Sequence, residues 1–257
     1  MTHRDSVGVT QEILPGEVNW MTAGRGITHS ERFETLRAEG GKLHGIQAWV
    51  ALPTELEETD PAFAHHGAED LPTYEANGMW ARLIAGSAFG ARAAVRTHSP
   101  LFYVHWVLQP GARAQLPAEY PERAAYVAKG SVEIDGQMIG EGQMVIFEPG
   151  QTVPIKARTA ASVILIGGEP VGERFIEWNF VSSSKDRIEQ AKADWRAGRM
   201  KLPDADDQEF TPLPEPSPPP PESSSPPKNS PPLPAPLIRP NSPSRSSSTL
   251  PPTRAAV

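Results

Sequence analysis

Between positions 80 and 170, apolar residues occur in short runs that alternate with polar positions and end at turn residues. The runs are rich in β-branched and aromatic side chains, which favours strands over helices. Turn pairs such as Asp135-Gly136 separate them. The clearest predicted strands are Leu101–Leu108, Ser131–Asp135, Met144–Phe147 and Ser162–Ile166. Repeated short strands joined by tight turns are typical of an all-β sandwich or barrel.

A single helix is predicted after these strands. Ile188, Ala191 and Trp195 recur at helical spacing, and Ser183 is the candidate N-cap, with Asp186 three residues later. We expect the apolar side of this helix to pack on the sheets.

Proline divides the chain into a folded body and a tail. Seventeen of the 29 prolines lie in 212–257, among serines and few apolar residues. Such a segment cannot bury enough apolar surface to offset its chain entropy. We therefore expect a disordered Pro/Ser-rich tail after a body of about 210 residues, long enough for one large or two small domains.

Charge and composition exclude several classes of function. The tail holds four basic and two acidic residues, which leaves the body with 20 basic and 29 acidic side chains. An acidic body argues against direct nucleic-acid binding. The sequence has no cysteine, so only His, Asp or Glu could hold a metal. No apolar run is long enough for a membrane span and the N-terminal residues are polar, so we expect a cytoplasmic protein without a membrane partner.

The most informative polar residues are His29 and Glu31. On a strand, residues i and i+2 face the same side, so the imidazole and the carboxylate would converge. Such a pair is half of a nitrogen and oxygen site for Fe, Mn, Cu or Ni. The spacing alone fits a simple hydrogen-bonded pair better.

The residues around this pair resemble a known family. The spacing of Gly16, Thr22, Gly24 and His29 resembles the second conserved motif of cupin barrels. The run Val18-Asn-Trp-Met-Thr-Ala-Gly-Arg-Gly-Ile-Thr-His-Ser-Glu31 resembles the pirins in particular. Further pirin-like segments are Leu43-His-Gly-Ile-Gln-Ala-Trp-Val50, Ile84-Ala-Gly-Ser-Ala-Phe-Gly90, Gly167-Gly-Glu-Pro170 and residues 178–195, which include most of the predicted helix.

Pirins consist of two cupin barrels, the first of which holds one metal, usually iron, through three histidines and a glutamate. The resemblance implies that His29 and Glu31 are the third and fourth ligands and that Fe(II), or another divalent metal, is the cofactor. It also implies that Gln47 faces the metal or the substrate. His65 and His66 are expected in a solvated loop, and His98 and His105 in the second barrel.

The resemblance implies a division of the chain into five parts. These are a truncated N-terminal cupin (1–53), a connecting loop (54–79), a C-terminal cupin (80–181), a helix with its extension (182–211) and the disordered tail (212–257).

The second barrel departs from the metal-binding cupin pattern. Pro117, Glu119 and Arg123 stand at three ligand places of the first motif, and Val153 stands where the second motif has its histidine. Proline, arginine and valine cannot replace imidazole, so this barrel is expected to be structural.

The first barrel also departs from the pattern. The sequence contains no H-x-H pair, which in pirins supplies the first two ligands, and His3 falls at a place that the family does not use for the metal. We expect a truncated chain that holds iron poorly, because one imidazole and one carboxylate fall short of a 2-His-1-carboxylate site.

Three functions remain open at this level. The intact form of the protein would be a non-haem iron oxygenase of the quercetin 2,3-dioxygenase type, acting on a flavonol. The alternative is a redox-sensitive partner of a protein such as a transcription regulator, without catalysis. The third is an inert fragment. No general base is identified by the sequence.

Overall fold

The computed structural model describes residues 1–214 and the backbone of residues 254–256. In these ranges the first domain and its edge comprise β1 (Thr2–Asp5), β2 (Thr10–Glu12), β3 (Val18–Thr22), β4 (Ile27–Arg32), α1 (Glu34–Glu39), β5 (Ala62–His66) and β19 (Arg254–Ala256). The second domain comprises β6 (Thr73–Ala76), β7 (Met79–Ala88), β8 (Ala91–Arg92), β9 (Leu101–Leu108), β10 (Arg113–Leu116), β11 (Glu122–Lys129), β12 (Ser131–Ile134), β13 (Gln137–Gly140), β14 (Met144–Phe147), β15 (Val153–Ala157) and β16 (Ala161–Gly168). A hairpin of β17 (Phe175–Glu177) and β18 (Phe180–Ser182) precedes α2 (Lys185–Arg196). Of two short 3-10 helices, Thr54–Leu56 lies in the first domain before β5, and Ala68–Asp70 connects β5 to β6.

The second domain is an antiparallel barrel of two sheets. The larger sheet has the order β14-β11-β16-β9-β7-β6, with β8 paired to β7, and the smaller has the order β10-β15-β12-β13. The four strands predicted in this region are all present, and Asp135 and Gly136 both adopt positive φ in the β12–β13 turn. Val104 and Trp106 point into the core between the sheets, whereas His105 lies on the outer face of β9. The predicted all-β architecture is confirmed.

The first domain is smaller and its sheets are open. One sheet has the order β19-β4-β1-β2, and β3 pairs with β5. Gly24, at the β3–β4 turn, lies so close to the Thr59 carbonyl that a Cβ atom there would overlap it. The Arg25 amide donates to that same carbonyl at 2.9 Å. This close approach fixes the turn against the segment that leads into the second domain.

The two domains share an apolar interface. Tyr103 and Ile164 on the outer face of the large sheet pack with Trp20 and Ala48 of the first domain. Such burial is the main favourable term in domain association, so we expect the two domains to behave as one packed unit.

The C-terminal helix is present but begins one residue later than predicted, and its apolar side packs on the β17–β18 hairpin and the following extension, not on the sheets of the second barrel. Ile188, Ala191 and Trp195 form its buried side. The N-cap is Ser184, whose hydroxyl accepts a bond from the Arg187 amide at 3.3 Å. Ser183 is not the cap because its amide and hydroxyl donate to Glu57 instead.

Two segments differ from the expectations. Residues 54–79, expected to be a connecting loop, contain β5 and β6, because Ala62–His66 pairs along the whole of β3 and Thr73–Ala76 pairs with β7. Conversely, residues 43–50 form no strand, since no neighbouring strand pairs with them, and Leu43, Ile46 and Trp49 are exposed.

The predicted tail lies mostly outside the described residues. Of its 46 positions only 212–214 and 254–256 are described, and the latter form β19, antiparallel to β4. Within the described ranges, the structure has no helix with the length and apolar character needed to cross a bilayer.

Candidate functional site

Strands β1 and β4 place four polar side chains on one face of the first sheet. His3 lies opposite Glu31 and Asp5 lies opposite His29 in the antiparallel register. Directly opposed residues share a face, as do residues i and i+2 of one strand. The convergence of His29 and Glu31 expected from their spacing is therefore accompanied by a second pair from β1.

His3 and Asp5 form a buried hydrogen-bonded pair. His3 Nε2 lies 3.1 Å from Asp5 Oδ2, and the other carboxylate oxygen accepts bonds from the amides of Val7 and Val9, both at 3.0 Å. The two side chains are almost fully buried. Because three donors hold the Asp5 carboxylate, the His3 imidazole has a fixed orientation.

Aromatic stacking fixes this imidazole further. The ring of His3 stacks on Phe63 of β5, with centroids 4.4 Å apart, and on His29, with centroids 5.6 Å apart. The histidine pair and the phenyl ring therefore form one continuous stack.

This stack forms part of the wall of a pocket of about 340 Å³. The first domain contributes His3, Asn19, Trp20, Met21, Thr22, Ala23, Gly24, His29, Glu31, Gln47, Ala48, Trp49, Val50, Ala51, Leu52, Glu57 and Phe63. The second domain and the hairpin contribute Thr97, His98, Ser99, Leu101, Arg174, Ile176, Asn179 and Val181. Such a volume, with mostly apolar walls and a few polar groups, is typical of small-molecule sites.

Glu57 holds the two walls of the pocket together. Its carboxylate accepts bonds from the hydroxyls of Ser182 and Ser183 at 3.1 and 3.0 Å and from the Ser183 amide at 2.9 Å. Arg174 Nε lies 2.6 Å from the same carboxylate, and its Nη2 donates to the Leu52 carbonyl at 2.7 Å. This largely buried network attaches the β17–β18 hairpin to the first domain.

The structure brings all three predicted site residues to this pocket, in different settings. His29 is buried and Glu31 is half-buried, both on β4. Gln47 also lines the pocket but is exposed and lies on an irregular segment, not on the strand that the family resemblance implied.

His29 and Glu31 alone do not provide enough ligands for a metal ion. His29 and Glu31 provide one imidazole and one carboxylate, whereas His3 is engaged with Asp5. Across residues 1–214, no group of three or more His, Cys, Asp or Glu side chains is arranged to hold a metal. The described residues therefore fall at least one ligand short of the 2-His-1-carboxylate arrangement.

Arg123 fills the interior of the second barrel at one of the cupin ligand places. Its Nη1 donates to the carbonyls of Pro117 and Gln151 at 2.9 and 2.7 Å, and its Nη2 donates to the carbonyl of Glu148 at 2.8 Å. The side chain is almost fully buried. The Arg123 guanidinium thus connects the β10–β11 loop to the β14–β15 loop.

Two other histidines, His65 and His105, have hydrogen-bonding partners close by. His65 and His66 lie half-buried on β5, not in a solvated loop, because this strand pairs with β3. His65 Nδ1 lies 2.8 Å from Asn19 Oδ1. His105 Nε2 lies 2.8 Å from the Ser162 hydroxyl, and burial, followed by the nearby charge of Arg82, lowers the pKa of His105.

His3, Asp5 and His98 have places in or beside this pocket that were not predicted from the sequence. The first two follow the same i, i+2 rule as His29 and Glu31, so their shared face was predictable once Thr2–Asp5 was recognised as a strand. His98 lies between strands of the second domain and reaches the pocket only through the arrangement of the two domains, which no local pattern encodes.

Two family models match the chain. The model described as "Pirin" matches residues 1–50, and the model described as "Pirin C-terminal cupin domain" matches residues 103–201.

Among curated proteins, the chain is 68% identical over 216 residues to a pirin-like protein of Caulobacter vibrioides, covering 84% of this chain and 75% of that protein. It is 36% identical over 203 residues to a Pseudomonas aeruginosa protein that is provisionally named a quercetin 2,3-dioxygenase, covering 78% of this chain. The chain spans 63% of the length of that protein.

Among solved structures, the quercetin 2,3-dioxygenase of Acinetobacter baumannii superposes with a TM-score of 0.70 at 27% identity. The match covers 85% of this chain and 72% of that one.

Proposed function

Since this chain belongs to the pirin family, we propose that the pocket between its two domains binds a flavonol-type aromatic molecule. The proposal rests on the composition of this pocket. Aromatic side chains and the polar side chains of His29 and Glu31 line the same cavity. The quercetin 2,3-dioxygenase name of the Acinetobacter structure supports the choice of ligand class.

The pocket chemistry suits a flat molecule with hydroxyl groups. Trp20, Trp49 and Phe63 line the cavity and provide faces on which a planar ring system can stack. Glu31 accepts a bond from a phenolic hydroxyl, and the Gln47 amide donates to a keto oxygen or accepts from a hydroxyl. On the far wall, His98 and Asn179 offer polar contacts to a second ring.

Oxygenase activity is the finer form of this proposal, and it requires a metal. His29 and Glu31 are the residues that would hold a divalent ion such as Fe(II), which would supply Lewis-acid chemistry towards the flavonol oxygens. Because the described donor set is incomplete, we propose that these residues hold Fe(II), or another divalent ion, weakly and that catalysis is impaired. The cytoplasmic location stays a prediction.

A binding titration separates ligand binding from catalysis. We expect quercetin to quench tryptophan fluorescence of the full chain, since Trp20 and Trp49 line the pocket. Glu31→Gln should weaken the affinity about tenfold, the equivalent of one charged hydrogen bond. Glu12→Gln, on the exposed part of β2, is the matched control and should bind as the unaltered chain does. Absence of quenching would refute the proposed ligand class.

Oxygen consumption tests the catalytic form. With quercetin and added Fe(II), we expect the full chain to consume oxygen no faster than Fe(II) and quercetin alone. Uptake that depends on the protein and disappears in His29→Ala would overturn the impairment and establish the oxygenase.

The second candidate is a non-catalytic, redox-sensitive protein partner. The incomplete donor set favours the absence of catalysis, whereas redox sensitivity would still require a bound metal because the chain has no cysteine. The exposed side chains of Leu43, Ile46 and Trp49 offer an apolar surface to a partner. The acidic body argues that such a partner is a protein and not DNA. This candidate predicts no oxygen uptake under any metal condition and no effect of Glu31→Gln on partner binding.

A further inference from the structure

We propose that residues 201–209, here called the C-terminal strap, bind the face of β4 that points away from the pocket. By fixing this strand, the strap positions His29 and Glu31 in the pocket. The inference rests on the proposed function, because it concerns the strand that carries the two pocket residues. It assigns Arg32 and Asp206 as positioning residues.

Successive side chains of β4 point to opposite faces of the first sheet. His29 and Glu31 line the pocket, whereas Thr28 and Arg32 point to the opposite side of the strand. Both of these outward residues contact the strap. The Thr28 hydroxyl donates to the Lys201 carbonyl, and Arg32 pairs with Asp206.

The Arg32 contact is a bidentate ion pair with little exposure to solvent. Nε and Nη2 each donate to a different Asp206 oxygen at 2.6 Å, and Nη1 donates to Glu209 at 2.9 Å. The side chains of Arg32 and Asp206 are 16% and 13% exposed. Two parallel hydrogen bonds from the planar guanidinium restrict the orientation of Arg32 as well as its distance from Asp206. The pair therefore fixes the C-terminal end of β4, next to Glu31.

The strap is itself anchored at its C-terminal end, through the two residues that follow it. Trp195 of α2 donates from its indole nitrogen to the Thr211 carbonyl at 2.9 Å and stacks on Phe210 at 4.6 Å. Within the strap, the Asp206 amide donates to the Pro203 carbonyl at 2.9 Å. The strap is therefore a support attached to a packed helix.

The same helix is attached to the N-terminal side of β4. Arg187 Nε donates to Glu58 at 2.7 Å, and its Nη2 donates to the Arg25 carbonyl in the β3–β4 turn at 2.9 Å. Since α2 and the strap hold β4 near both ends, a small rotation of the strand is resisted, and such a rotation would turn His29 and Glu31 away from the pocket.

The experiment uses the full chain labelled with ¹⁵N-histidine. We compare the ring-nitrogen shifts of His29 and the quercetin affinity in Arg32→Met, Asp206→Asn and the charge-reversed pair Arg32→Asp with Asp206→Arg. The matched control is Lys192→Met, which removes an α2 ion pair with Glu177 that does not reach β4.

The proposal predicts that both single variants shift the His29 resonances and weaken quercetin binding about tenfold. The reversed pair should restore part of both, and Lys192→Met should change neither. Arg123→Met is a second control, because it should destabilise the second barrel without touching β4. It distinguishes a loss of positioning from a general loss of stability and should leave the His29 resonances unchanged.

Two outcomes would refute the inference. Unchanged His29 resonances in folded Arg32→Met and Asp206→Asn would show that the strap does not position β4. The same shifts in Arg123→Met would show that any loss of stability produces them. If the unaltered chain does not bind quercetin, the proposed function fails, but the His29 resonances still decide whether the strap positions the strand.

Discussion

At the scale of single residues, Arg123 shows how a cupin interior can be stabilised by a side chain. Its guanidinium donates to the carbonyl of Pro117 in the β10–β11 loop and to those of Glu148 and Gln151 in the β14–β15 loop. Each of these acceptors would otherwise need another donor, because unpaired buried carbonyls cost free energy.

Replacement of this side chain tests its contribution to stability. Arg123→Met keeps most of the volume but leaves the three carbonyls without their donor, so we expect the free energy of unfolding to fall by about 3 kcal/mol. Urea denaturation followed by circular dichroism measures the change. The control is Arg158→Met, which breaks a half-exposed ion pair with Glu133 and should cost about 0.5 kcal/mol. Equal losses in the two variants would contradict the role given to Arg123.

The residue scale also shows what a local pattern can predict. The period of two residues was sufficient to place His29 and Glu31 on one face, and the pirin resemblance directed attention to them. The same period applies to His3 and Asp5, but Thr2–Asp5 is too short and polar to be recognised as a strand, since its strand character comes from pairing with β2 and β4.

At the scale of elements, β4 combines two functions on its two faces. One face carries the pocket residues and the other carries the contacts with the strap. The hydrogen bond from Arg32, together with the other groups around it, lowers the pKa of Asp206, and desolvation opposes this shift.

The lowered pKa makes this contact dependent on pH. A carboxyl group whose pKa is lower in the folded than in the unfolded state stabilises the fold above its unfolded value, about 3.9, and loses that contribution as the pH falls through the folded value. We therefore expect Asp206→Asn to cost about 2 kcal/mol at pH 7 and progressively less below about pH 4. Urea unfolding of both proteins at several pH values measures the difference. A cost that is constant down to pH 2 would contradict the assignment.

Elements with strong internal patterns were predictable and those defined by partners were not. Leu101–Leu108 and the buried side of α2 follow from their own apolar spacing. Residues 54–79 were interpreted as a loop because β5 is short and rich in alanine and histidine, and it becomes a strand only beside β3. Residues 43–50 have a strand-like composition but no partner in the described sheets.

At the scale of the whole molecule, the pocket depends on how the domains are joined. Its walls come from the first domain, the second domain and the hairpin, and Glu57 connects the first of these to the last. Sequence patterns do not encode this arrangement, which is why His98 and Asn179 were not identified as pocket residues.

Removing the Glu57 carboxylate should uncouple the hairpin. Glu57→Ala leaves Arg174 with an unpaired buried charge and removes the acceptor of Ser182 and Ser183, so we expect a loss of about 3 kcal/mol. In differential scanning calorimetry the unaltered chain should unfold in one transition and the variant in two. Glu55→Ala, on the same 3-10 turn but exposed, is the control and should keep one transition. A single unshifted transition in Glu57→Ala would contradict the coupling.

The central claim is that the pocket between the domains is the ligand site, and calorimetric titration of quercetin into a blocked variant tests it most directly. Val181 lines the pocket, so Val181→Arg should fill it, whereas Val107→Arg places the same side chain on an exposed part of β9. We predict that the unaltered chain and Val107→Arg bind one quercetin with equal affinity and that Val181→Arg binds at least about tenfold more weakly, a loss of about 1.4 kcal/mol. Equal binding by all three proteins would place the ligand elsewhere, and no binding by the unaltered chain would refute the proposed function.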